Sequence, residues 1–212
     1  MIHGMLKLSR VGKVIGEFTL IDLDELIAEI KTDLGELFRS RGAALRVVGP
    51  LPKIWGDRDR IRQLLANLIS NGIKYNKSSD PWVEIKGDVG VIPDTPDVES
   101  GPKAQTDVTI AVTDNGIGID PQFHGTIFQL FRRLHTHDEY EGTGVGLAIC
   151  NKIVQAHGGR LWVESAIGQG STFYLKLRSR VSSQVTTHAL SVAASAPPHE
   201  AAASQVSADE PN

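Results

Sequence analysis

Hydrophobic positions along this chain recur with two periods, near four residues and at two. Leu26, Ile27, Ile30, Leu34, Leu37 and Phe38 follow a helical period and predict one helix with a single buried stripe. Asp22 is placed as its N-cap, with Glu25 three residues on as the capping-box partner. A short β-type run over 45–48 stops at Gly49-Pro50. A second helix is predicted over 59–75, its core face carried by Ile61, Leu64, Leu65, Leu68 and Ile69. Residues 82–85 alternate as a strand does, and so do Val108, Ile110 and Val112. Between them, 87–107 is polar, holds three prolines and three glycines, and reads as a hairpin connection or loose loop. A helix over 145–156 precedes strands at 160–164 and 172–177, which Gly168-Gln169-Gly170 joins. From Ser179 the chain is rich in Ala, Ser, Pro and Val without periodicity or aromatics, and cannot offset its ordering entropy. The elements predict an α/β (α+β) two-layer sandwich: a mixed, mostly antiparallel sheet with helices on one face.

Composition narrows the function classes. The 212 residues accommodate one ordinary domain and a tail. A net charge of -3 and a pI near 6.2 argue against a general nucleic-acid binder. With Cys150 as the single cysteine, neither an intramolecular disulfide nor a Cys-rich metal site can form. No stretch is apolar for the ~18 residues of a membrane span, and the first ten residues lack a secretion signal. A reduced, cytoplasmic setting is expected, with no membrane partner. His124, His135, His137 and His157 lack metal-ligand spacing and read as surface and lid residues, whereas Cys150 reads as a small core residue.

Three stretches carry candidate chemistry. Asn67, Asn71, Lys74 and Tyr75 lie within about 100° of one another on the second helix. They flank its apolar stripe as a ligand wall or an ordinary solvated edge, and both readings stay open here. An Asn carbonyl is a hard donor suited to Mg²⁺ carried by phosphates. Asp114-Asn115-Gly116-Ile117-Gly118-Ile119-Asp120 follows a strand directly. Its glycines permit close approach to a flat ligand, and an ionised Asp114 can accept a hydrogen bond from the exocyclic amine of adenine. A plain Asp-Asn-Gly hairpin turn fits less well, because no paired strand begins after it. Gly142-Thr143-Gly144-Val145-Gly146-Leu147 opens a helix, where free N–H groups favour phosphate. Its G-x-G-x-G spacing is neither a P-loop nor a dinucleotide fingerprint.

The order of these pieces resembles the sensor histidine kinases. Residues 67–75 resemble their N box, 114–120 the first glycine box and 128–133 the F box. Residues 142–147 look like the second glycine box, and 168–172 like the G-x-G-[ST] segment after it. The stretches Leu8-Ser9-Arg10-Val11-Gly12, Trp55-Gly56-Asp57 and 131–136 look most like phytochrome-type kinases. The resemblance implies the Bergerat ATP-binding fold over 17–178, a linker and helix remnant over 1–16, and a disordered tail over 179–212. It implies that Asn71 ligates Mg²⁺, Lys74 pairs with the phosphates and Tyr75 lines the nucleotide. Asp114 would bond the adenine amine, Gly118 would lie beneath the base and Thr172 would assist through water. Asn67, Gly116, Ile119, Gly142, Thr143, Gly144, Val145, Gly146 and Leu147 complete the implied ATP site. Phe128 and Phe131 would anchor a mobile lid over 121–141, from which Arg133 reaches toward the phosphates. Gly72 departs from the family, which usually has Ala there, and this is expected to bear on stability more than on chemistry.

Gyrase-type ATPases share these boxes but carry a Glu general base where this chain has Asn67. An amide cannot take that proton, so slow hydrolysis is expected, as suits a kinase whose ATP must wait for a histidine. The implied reaction moves the γ-phosphoryl of ATP to a histidine on a helical acceptor domain, then to a response-regulator receiver domain. A non-catalytic ATP-binding module is the alternative. His3 is followed by Gly4-Met5-Leu6 without a carboxylate neighbour, so it is not read as the acceptor. The chain is therefore expected to be a monomer acting in trans.

Overall fold

The computed structural model describes residues 16–91, 105–129 and 144–180. The chain divides into two units, Met1–Arg180 and Val181–Asn212, and all structure described here belongs to the first.

The chain enters through β1 (Thr19–Asp22), which pairs antiparallel with β3 (Lys53–Gly56). Four-residue strands carry too little alternation to be read from sequence. Asp22 caps α1 (Leu23–Asp33) as expected, its carboxylate accepting from the N–H groups of Asp24 and Glu25. The single predicted helix is instead two. At Leu34 the backbone departs from helical ψ, and α2 (Gly35–Arg41) follows. The break falls directly before Gly35, the residue of this stretch with the weakest intrinsic helix preference. Helix α2 ends at Gly42, whose φ of 60° supplies a left-handed cap.

The main sheet runs β2 (Ala44–Val48), β4 (Trp82–Val91), β5 (Gln105–Asp114), β7 (Ser171–Arg180), β6 (Arg160–Ser165). Only the β2–β4 pair is parallel. The mixed, mostly antiparallel sheet thus matches the expectation, but β4 and β5 do not. Their ladder runs from Val83↔Asp114 to Val91↔Thr106, so both ends of the expected 87–107 loop are strand. Pairing with neighbouring strands supplies backbone partners that local composition does not encode. Strand β7 likewise reaches Arg180, into the segment read as tail.

Helix α3 (Arg58–Lys74) and helix α4 (Gly146–Ala156) cover one face of this sheet. Asp57 caps α3 by accepting from the Arg60 N–H. Ile61, Leu64, Leu65, Leu68, Ile69 and Ile73 are buried, as are Val83, Ile85, Val108, Ile110 and Val112 from the strands. The alternate residues Thr109, Ala111 and Thr113 stay half-exposed on the other face, where Trp162 stacks on Tyr174 at 5.1 Å. Cys150 is fully buried, as expected of a core residue.

His157 does not lie on the surface. It is buried beneath Phe18, whose ring stacks on it at 4.9 Å. Its Nε2 accepts from the Asp57 N–H and its Nδ1 donates to the Ile153 carbonyl. Two backbone partners at fixed positions make a histidine affordable in this interior, and spacing along the chain cannot reveal them. No helix among the described residues is long and apolar enough to cross a membrane.

Candidate functional site

Strand β5 ends in Asp114, a carboxylate buried to 9% exposure where the core face of the sheet meets α3. Its Oδ1 accepts from the Gly116 N–H at 2.8 Å, and Ser171 pairs with Asp114 across the β5–β7 ladder. Burial pushes its pKa up to about 6, against the pull of the nearby Gly116 and Ser171 N–H groups. A carboxylate that titrates so near neutrality and keeps acceptor capacity suits a ligand amine.

The elements around Asp114 meet through glycine. A Cβ on Gly72 would lie 2.8 Å from Val83 Cγ2 and 3.0 Å from Asp114 Cβ. The glycine therefore lets α3 close onto the strand that carries the carboxylate, so it bears on the site as well as on helix stability. A Cβ on Gly116 would overlap the Tyr75 carbonyl, which already accepts from the Ile117 N–H at 2.9 Å. Gly118 (φ 71°) abuts the Ala166 carbonyl, and Gly170 (φ 78°) abuts that of Asp114. Both positive φ and backbone contact demand glycine there. Ser165 ties the same two loops, its hydroxyl accepting from the Ile119 N–H and lying 2.7 Å from the Gly170 carbonyl.

Helix α3 brings Asn71, Lys74 and Tyr75 to its last turn, all half-buried, with Tyr75 as the C-cap residue. Asn67, one turn earlier, lies against α4: a Cβ on Gly146 would sit 4.0 Å from its amide carbon, while the Cys150 thiol reaches the Leu64 carbonyl. The ligand wall thus meets the second glycine segment directly. Helix α4 starts after Val145 with no side-chain cap, and Gly144 before it has φ 67°. Its first N–H groups are therefore left to solvent or to an anion. Leu147 and Ile119 pack against the core from either side. The Phe128 ring meets Phe173 edge-on at 6.5 Å, so the near end of the expected lid rests on the sheet. Phe131, Arg133, Gly142 and Thr143 lie outside the described residues.

Thr172 needs correcting. Strand register pairs it with Thr113, and its hydroxyl lies 3.2 Å from that of Thr113 on the half-exposed face. Alternation along a strand puts the neighbouring residue on the other side. Ser171, paired with Asp114 and buried, occupies the position that Thr172 was expected to hold. A one-residue offset of this kind is invisible until register is known.

An amide, rather than a set of anionic ligands, is what this site offers a cation. Among the described residues no three His, Cys, Asp or Glu side chains gather to hold a metal ion. A half-buried Asn on α3 fits a hard cation that arrives already bound to phosphate, as Mg²⁺ does. A buried carboxylate, an amide-bearing helix and an uncapped helix terminus, all on one side of a mixed sheet, are parts expected of an ATPase-type nucleotide-binding domain. The chain belongs to the family of histidine kinase-, DNA gyrase B- and HSP90-like ATPases, which matches residues 56–181.

Within that family its likeness is to histidine kinases. It is 39% identical over 178 residues to the phytochrome-like protein Cph1 of Synechocystis, covering 84% of this chain and 22% of that protein. The chain therefore spans less than a quarter of the length of that curated relative. The solved catalytic domain of histidine kinase ThkA is similar with a TM-score of 0.59 and 27% identity, over 77% of this chain and 99% of that one. Full-length ShkA in complex with AMPPNP shares the fold, with a TM-score of 0.66 and 24% identity, over 86% of this chain and 36% of that one.

Proposed function

We propose that this chain binds Mg-ATP and presents its γ-phosphoryl group to a histidine on a helical acceptor domain, for relay to a response-regulator receiver. The observation that carries the reading is the composition of the α3 wall. Its last two turns carry Asn67, Asn71, Lys74 and Tyr75, all half-buried, and no carboxylate that could activate water. Asp59, the acidic residue of α3, lies exposed in its first turn, far along the helix from Asn71.

In this reading Asp114 accepts from the adenine amine while Ser171 and the glycine backbone close the pocket behind it. Lys74 places a positive charge beside the phosphates, and the first turn of α4 donates N–H groups to them. Asn71 would supply one oxygen to Mg²⁺, whose charge would offset that of the phosphates. The chain's residues position and shield, leaving the nucleophile to the acceptor histidine. Arg133, Gly142 and Thr143 keep the phosphate contacts that the resemblance implies. The buried free thiol of Cys150 is compatible with a reducing, cytoplasmic setting.

Incubation with γ-labelled ATP, with and without a separately added acceptor helical domain, tests this. Acid-labile, base-stable label is expected on the acceptor, with little phosphate released. Hydrolysis at several turnovers per second without acceptor would move the chain to the ATPase branch. Asn67→Glu is expected to raise hydrolysis above that of the parent if its carboxylate can reach the water.

A further inference from the structure

We propose that Asn115 is a positioning residue that holds the α3 terminus in register with Asp114, and so sets phosphate affinity separately from adenine recognition. The proposal rests on the nucleotide reading above. The Asn115 side chain is saturated. Its Oδ1 accepts from Asn76 Nδ2 and from the Trp82 N–H, both at 2.8 Å. Its Nδ2 donates to the Asp80 carbonyl at 2.9 Å and to Ser78 Oγ at 3.2 Å. Two lone pairs and two hydrogens are all that an Asn amide has. A backbone N–H on one side and a backbone carbonyl on the other allow only this orientation.

Three of the four partners belong to the connection between α3 and β4, and the fourth, Trp82, is the first residue of β4. The β4–β5 ladder ends at Val83↔Asp114, and the Asn115 amide takes over as acceptor for the next N–H, that of Trp82. Asn76 extends the clasp to the helix: its Nδ2 also reaches the Gly72 carbonyl, and its Oδ1 accepts from the Ser78 N–H. Asn71, Lys74 and Tyr75 sit on the turn held in this way. Asp114 does not depend on the clasp, because its carboxylate accepts from the Gly116 N–H and its backbone is paired with Ser171 in the β5–β7 ladder. Cutting the clasp should therefore loosen the phosphate end and leave the adenine end in place.

Amide NMR titration, which reads millimolar as well as micromolar binding, can follow Mg-ATP and adenosine on the parent, Asn115→Ala, Asn76→Ala and the double variant. Each single change is expected to weaken Mg-ATP about tenfold, the scale of one lost hydrogen-bonded constraint, while adenosine affinity shifts less than about twofold. The double variant should be no weaker than the weaker single, because both cut one network. A purely structural role would lower the melting temperature and move both affinities together, or neither, and that result would overturn the proposal. So would multiplicative losses in the double variant. If Asn115→Ala fails to fold, Asn76→Ala carries the same comparison from the half-exposed side of the clasp. A parent that binds neither ligand would instead sink the nucleotide reading itself.

Discussion

Asp114 concentrates the tension between stability and binding in a single side chain. Its folded pKa of about 6 lies above the ordinary 3.8, so the folded state holds the proton more tightly than the unfolded chain. Stability from this group is thus fully present below about pH 4 and is lost as pH rises to about 6, a cost on the order of 3 kcal/mol. In the proposed reading binding runs the other way, since only the carboxylate would accept from the adenine amine. Adenosine, which has no phosphate to titrate, is expected to bind about tenfold more weakly at pH 5 than at pH 7, as follows from a pKa near 6. Asp114→Asn should bind weakly at both values, and an unchanged pH slope in that variant would remove Asp114 from the role. Gly118 is the other decisive residue. Gly118→Ala combines a positive φ with overlap on the Ala166 carbonyl, and a loss of at least ~2 kcal/mol is expected in urea unfolding. The need for glycine at 118 was legible in its box, but its partner at 166 was not, because it lies on a hairpin 48 positions away.

At the scale of elements, helix ends do much of the positioning. Asp57 caps α3 through Oδ1 while its Oδ2 accepts from the Gly16 N–H at 2.7 Å, so one buried carboxylate ties the entering chain to the helix that carries Asn71. Asp57→Ala is expected to cost about 2 kcal/mol, and more than Asp22→Ala, which removes a cap with no second backbone partner of this kind. Denaturant midpoints compared at constant slope would check the ranking, and equal shifts would mean that the Gly16 bond contributes nothing. The long helices α3 and α4 and their buried faces were readable from periodicity, because each presents several turns of apolar residues. The break at Leu34, strands β1 and β3, and the outer halves of β4 and β5 were not. Short strands and ladder extensions are decided by partners far away in sequence.

For the molecule as a whole, ligand linkage gives a direct measure of the site. Mg-ATP at about 100 times its Kd should add ~2.7 kcal/mol, raising the melting temperature by roughly 5–11 °C. GTP at equal concentration should shift it much less, because it presents a carbonyl where adenine has its amine. Equal shifts by both nucleotides would mean that the protein reads phosphates alone. The expected order of boxes along the chain survives as an order in space. The N box meets the first glycine box through Gly72 on Asp114, and meets the described residues 144–147 of the second through Gly146 on Asn67.

The sequence by itself determined what local chemistry can carry: the two long helices, the core strands, the glycines at turns and the candidate carboxylate and amides. Each rests on periodicity or on a residue's intrinsic conformational and hydrogen-bonding repertoire, which neighbours along the chain are enough to reveal. Tertiary structure alone decided register and burial. It put Ser171 rather than Thr172 beside Asp114, buried His157 against Asp57, set Asn67 against Gly146 and closed the Asn115 amide on four partners. Those outcomes depend on which strands pair and which helix ends meet, and long-range pairing leaves no periodic trace in the chain that makes it.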